Sequence, residues 1–152
     1  MDDIPRGYIP QEYDQRRPIV ELMDITWLDG ETVERLNEVA LYEGEPHGRN
    51  PGSDLEGALG RPRGHYHYGG VESLYELAAL YAIALTKAHA FQDGNKRTAL
   101  LAVRAFLKAN GMEFDYGPHE EEAVGMMQDI ATDAASREEV ADWIARNSTG
   151  TS

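Results

Sequence analysis

Apolar residues along this chain recur mostly at the three- and four-residue spacing of helices, and no alternating strand pattern lasts more than a few positions. Asp29 is placed to cap a helix over Glu31 to Tyr42, with Val33, Leu36, Val39 and Ala40 on one face. Glu43 to Ser53 holds Gly44, Pro46, Gly48, Pro51 and Gly52 and reads as a loop. A short helix from Asp54 to Leu59 is expected to stop before Pro62, because a proline pushes its predecessor out of helical geometry. Gly60 to Gly70 then reads as a second loop, carrying His65, Tyr66, His67 and Tyr68.

The strongest signal is Val71 to about His89, which is apolar nearly all round and therefore belongs in the middle of a bundle. Gly94 interrupts the chain before a helix from Asn95 to Ala109, with Leu100, Leu101, Val103, Phe106 and Leu107 inward and Asn110-Gly111 as its stop. Glu120 to about Asp133 gives another helix after Pro118, with Met126 and Met127 as core candidates. Ser136 and Glu139 form a capping box that opens Arg137 to Arg146. Glu113 to Tyr116 is the best short extended piece, and Ser148 to Ser152 should fray. Trp27 and Trp143 look like packing anchors near the two ends of the fold. Residues 1–24, with Pro5, Pro10 and Pro18, read as an extended arm or a poorly ordered tail, which leaves 25–147 as the folded domain. The expectation is an all-α fold, about five to seven helices around a central apolar one.

Composition narrows the function. A chain of 152 residues suits one domain with a single core. No apolar run approaches the roughly 20 residues that span a bilayer, since Leu74 to Leu85 is interrupted by Glu76. The opening Met1-Asp2-Asp3-Ile4 lacks a basic stretch leading into an apolar one, so a cytoplasmic protein is expected. There are no cysteines, which excludes disulfides and thiolate metal sites. A formal net charge of −13 argues against direct nucleic-acid binding, whose affinity comes mainly from Lys and Arg. It leaves room for one nucleotide held by a local group of donors, and it suits a basic protein partner.

Such donors gather between the two best helices. His89 ends one helix and Asn95 opens the next, with Asp93 and Gly94 before Asn95 and Lys96, Arg97 and Thr98 after it. A helix start offers unpaired N–H groups and partial positive charge, which attract phosphate. Gly94 allows close backbone approach, and Arg97 can grip phosphate oxygens in a fork. Asp93 offers oxygen to Mg²⁺, and His89 has the intrinsic pKa to take a proton from a hydroxyl nucleophile. Cations at a helix start oppose its dipole, a local conflict that a bound phosphate would resolve. His65 and His67 are weak metal candidates by comparison.

The segment His89-Ala-Phe-Gln-Asp-Gly-Asn-Lys-Arg resembles the Fic motif, H-x-F-x-(D/E)-G-N-x-R, with all six fixed positions filled. Together with Asp54 to Pro62 and Ser73 to Leu85, it resembles the Doc branch of the Fic/Doc family, the death-on-curing toxins of toxin–antitoxin modules. The resemblance implies a compact Fic-type helical bundle and an ATP- and Mg²⁺-dependent transferase. In it His89 is the general base, Asp93 the Mg²⁺ ligand, and Phe91 the anchor of the loop. Gly94, Asn95, Lys96, Arg97 and Thr98 form the nucleotide-phosphate site, and Glu56 is structural support.

Two departures from the adenylylating Fic pattern point toward Doc. Lys96 stands where that pattern has a third glycine, and Leu100 where it has a final arginine. Both favour transfer of the γ-phosphate to a hydroxyl of a protein such as elongation factor Tu, blocking translation. AMP transfer is the alternative, supported by Gly94, where Doc proteins commonly carry Ala. A catalytically silent partner-binding module is the third reading. The inhibitory motif of many Fic proteins, (S/T)-x-x-x-E-(G/N), fits neither Glu-Gly pair, since Val39 precedes Glu43 and Gly52 precedes Glu56 by four positions. The implied partner is thus a separate antitoxin of the Phd type.

Overall fold

A computed structural model describes residues 24–71 and 73–150. The expected N-terminal arm, apart from Asp24, and the last two residues lie outside these. Among the described residues the order is α1 (Gly30–Ala40), α2 (Leu55–Gly69), α3 (Leu74–Ala88), α4 (Asn95–Ala109), β1 (Met112–Phe114), a 3₁₀ turn (Gly117–His119), α5 (Glu120–Ala131), α6 (Arg137–Arg146) and β2 (Ser148–Gly150). The fold is all-α with one small sheet.

Helix α3 is the axis, in contact with α2, α4, α5 and α6. Its all-round apolar pattern is the cause, since Leu74, Leu77, Ala78, Ala79 and Tyr81 have no solvent exposure. Each fully buried leucine contributes about 1.5–3 kcal/mol. Starts are marked by side-chain caps: Asp29 for α1, Asp54 for α2, Ser73 for α3, and the Ser136–Glu139 capping box for α6. Trp143 is buried against Phe114, while Trp27 packs on Phe106 and Tyr66, so both tryptophans anchor the core. Met127 is buried and Met126 packs at the edge of the core.

Three expectations are corrected. Helix α2 runs through Pro62 to Gly69 instead of stopping before it. A proline inside a helix costs roughly 3 kcal/mol through its missing N–H and ring clash. Here Leu55, Ala58, Leu59 and Pro62 form one buried stripe that packs on α3, and this burial outweighs the local penalty. His65 and His67 therefore sit on a helix, two positions and roughly 200° apart, and cannot face one ion together. Ser148–Gly150 does not fray but pairs antiparallel with Met112–Phe114. Val39 is 75% exposed, because the inward seam of α1 is Val33, Leu36, Asn37 and Ala40.

Candidate active site

The turn from α3 to α4 is built by unusual backbone. His89 terminates α3 in the left-handed region (φ 47°), a conformation costing a non-glycine residue roughly 1–2 kcal/mol. Gly94 is left-handed as well (φ 72°) and stands at the N-cap of α4. A methyl group there would lie 3.3 Å from Leu41 Cδ2, so glycine suits both the angle and the space.

Asn95 holds the turn closed: its Oδ1 accepts the Phe91 N–H at 3.0 Å and its Nδ2 donates to the Phe91 carbonyl at 2.8 Å. Phe91 is buried below. The loop after α1 supplies further support through an antiparallel bridge between Arg49 and Phe91. Asn50 donates its N–H to the Ala90 carbonyl and its side-chain amide to the His89 and Phe91 carbonyls, each at 2.8 Å. Arg49 in turn grips Glu56 with two hydrogen bonds and Glu34 with one. This network gives Glu56 the supporting role expected of it, and it holds the Arg49 guanidinium above its ordinary pKa.

Buried Asn37 of α1 completes the frame, donating through Nδ2 to the Asp93 carbonyl at 2.9 Å and to Thr98 Oγ1 at 3.0 Å. Asn37, Asn50 and Glu45 were not singled out in the sequence. Asn37 is one polar residue within a helix and Asn50 and Glu45 lie in the loop after it, so none carries a local pattern, and their partners in the site lie 39 to 61 positions away.

His89, Asp93, Gly94, Asn95, Lys96 and Arg97 line one cleft of about 370 Å³, with Thr86, Gln92 and Ala131. The expected base, the expected metal ligand and the helix start are thus brought together. No side chain caps α4. The first helical hydrogen bond runs from the Thr98 N–H to the Gly94 carbonyl, so the N–H groups of Asn95, Lys96 and Arg97 have no partner within the helix. Asp93 Oδ1 accepts the Gly94 N–H at 2.8 Å, which leaves Oδ2 without a hydrogen bond among the described residues. One available carboxylate oxygen beside an uncapped helix start is a donor set that suits Mg²⁺, which keeps most of its water.

Two residues of the expected phosphate site have their side chains engaged within the protein. Thr98 is 1% exposed and its hydroxyl faces Asn37, so it holds the helix start in place and does not reach the cleft. The Asn95 amide is engaged with Phe91, so what this residue can offer an anion is its backbone N–H. Arg97 is held from the α1 side. Its Nη1 donates to the Ala40 carbonyl at 2.5 Å and to Glu45 Oε1 at 2.9 Å, and its Nη2 to Glu45 Oε2 at 2.9 Å. The Tyr42 ring covers the guanidinium at 4.1 Å. The Glu45 pairing raises Arg97 above its ordinary pKa, and the same bond pulls the Glu45 carboxyl down.

The fold and site define a helical-bundle protein whose cleft gathers a left-handed histidine and an uncapped, cation-bearing helix start. The chain belongs to the Fic/DOC family, whose model matches residues 23–107. Among curated proteins it is similar to the "Protein kinase doc" of Escherichia phage P1, with 33% identity over 108 residues covering 71% of this chain and 82% of that protein. It is also similar to the "Toxin Doc" of Mycolicibacterium smegmatis, with 32% identity over 122 residues covering 78% of this chain and 91% of that protein. Among the described residues no helix is long and apolar enough to cross a membrane.

Proposed function

We propose that this chain is a cytoplasmic Doc-like toxin that transfers the γ-phosphate of ATP to a hydroxyl of a target protein. The observation that carries this reading is the single cleft shared by His89, Asp93 and the uncapped start of α4. The name of the phage P1 relative, a protein kinase, agrees with it.

In this mechanism the phosphates of ATP lie against the N–H groups of Asn95, Lys96 and Arg97, with the two side-chain cations offsetting their charge. His89 takes the proton of the incoming hydroxyl. The freed oxygen bonds to the γ-phosphorus as the bond from that phosphorus to the β-bridging oxygen breaks, and ADP leaves with the electron pair. Mg²⁺ held by Asp93 would neutralise charge on the phosphate oxygens. Orientation, charge compensation and proton removal by His89 are the protein's contribution, and none requires a covalent enzyme intermediate.

The target would be a translation protein such as elongation factor Tu, and a Phd-type antitoxin would restrain the enzyme. Gly94 keeps AMP transfer as the second reading, and a silent binding module as the third. Incubation with γ-labelled and α-labelled ATP in cell extract separates them. Protein label from the γ position alone, lost in His89→Ala, is expected. Label from the α position would overturn phosphoryl transfer in favour of AMP transfer, and growth arrest that persists in His89→Ala would point to the silent module.

A further inference from the structure

We propose that Glu45 is a positioning residue for phosphate recognition, because it holds the end of the Arg97 guanidinium so that the adjoining side edge is presented to the cleft. This rests on the function proposed above. A guanidinium carries five N–H groups in one plane, and their directions follow from covalent geometry. The end-on pair, one N–H from each Nη, is taken by the two oxygens of Glu45 at 2.9 Å each. The other N–H of Nη1 goes to the Ala40 carbonyl.

Two donors remain, Nε–H and the second N–H of Nη2. They point the same way along one edge, and no described residue is hydrogen-bonded to them. Nη2, at one end of that edge, is 3.7 Å from Asp93 Oδ1, too far for a hydrogen bond. Both residues line the cleft. A parallel pair of N–H groups is the arrangement that grips two oxygens of one phosphate.

The clamp is anchored from behind. Glu45 Oε1 also accepts the Tyr42 N–H at 2.6 Å, which fixes the turn, and the Tyr42 ring closes one face of the guanidinium. An arginine held at three of its five donors loses little side-chain entropy when a phosphate arrives. Glu45 therefore acts through Arg97, without touching the ligand.

The test is calorimetric titration of MgATP into wild type, Glu45→Gln, Arg97→Lys and the double variant, each checked for folding by circular dichroism. Gln keeps one acceptor for Arg97 and gives up the other. Glu45→Gln should weaken binding by roughly tenfold, the scale of one charge-assisted hydrogen bond. The double variant should bind no more weakly than Arg97→Lys alone, because both changes act on one contact. Affinity in Glu45→Gln equal to or tighter than wild type would overturn the inference, making Glu45 a bystander or a competitor of phosphate. So would losses that multiply in the double variant. Wild type that binds no MgATP overturns the proposed function itself and the inference with it. A measurement without any variant is the Arg97 Nε–H resonance, which should shift on MgATP addition; an unmoved signal at saturation overturns the inference.

Discussion

Asn95 and Phe91 close a ring across the turn between α3 and α4, the amide of one taking both the N–H and the carbonyl of the other. The ring fixes the distance between the end of α3 and the first N–H groups of α4, so the Asn95 side chain shapes the site while its backbone N–H stays available. Asn95→Ala should destabilise the protein by about 2 kcal/mol, the net value of two partly buried hydrogen bonds. Transfer activity should fall by about a hundredfold through misplacement of the reacting groups. Chemical denaturation and the label assay check both, and unchanged activity would show that the turn keeps its shape unaided.

Asn37 makes its two contacts from a position 2% exposed. Asn37→Leu keeps the bulk and removes the donor, which leaves the Asp93 carbonyl and the Thr98 hydroxyl without it in a low-dielectric setting. A loss of about 3 kcal/mol is expected in urea denaturation. A loss below about 0.5 kcal/mol, the scale of a neutral surface change, would mean water or a rearrangement replaces the donor.

Thr86 lines the cleft, yet its Oγ1 is buried and makes no hydrogen bond among the described residues. An unpaired hydroxyl in an apolar setting is unfavourable, so Thr86→Val should stabilise the protein by about 1 kcal/mol. A melting temperature that falls instead would show that the hydroxyl has a partner in solution.

The Glu45–Arg97 pair carries a pH dependence with a defined sign. Its hydrogen bond with Arg97 comes first, and that with the Tyr42 N–H second, in holding the Glu45 carboxyl below its ordinary value of 4.5. A carboxyl lowered in the folded state contributes stability that is full above the unfolded pKa and is lost as pH falls through the folded one. The melting-temperature gap between wild type and Glu45→Gln should therefore be constant near neutrality and close only in acid, below the ordinary glutamate value. The exposure of the pair keeps the gap small and sensitive to salt. A gap that widens in acid would contradict the pairing.

Much of this protein is legible from its residues alone. Helical periodicity places α1, α3, α4, α5 and α6, because each buries a face whose spacing is a local property of the chain. The segment His89 to Arg97 likewise announces its site, since histidine, carboxylate, glycine and cations at a helix start need only local geometry to converge.

Tertiary structure decided which of those groups face the cleft. Thr98 and one end of Arg97 turn inward because partners arrive from α1 and the loop behind it, Asn37 for Thr98 and Glu45 for Arg97, and Asn50 of that loop holds the Phe91 carbonyl from outside the turn. The same long-range packing carries α2 through Pro62 and pairs Ser148–Gly150 with β1. A hydrogen bond depends on distance and direction in space, and for residues this far apart along the chain only the folded core sets either one.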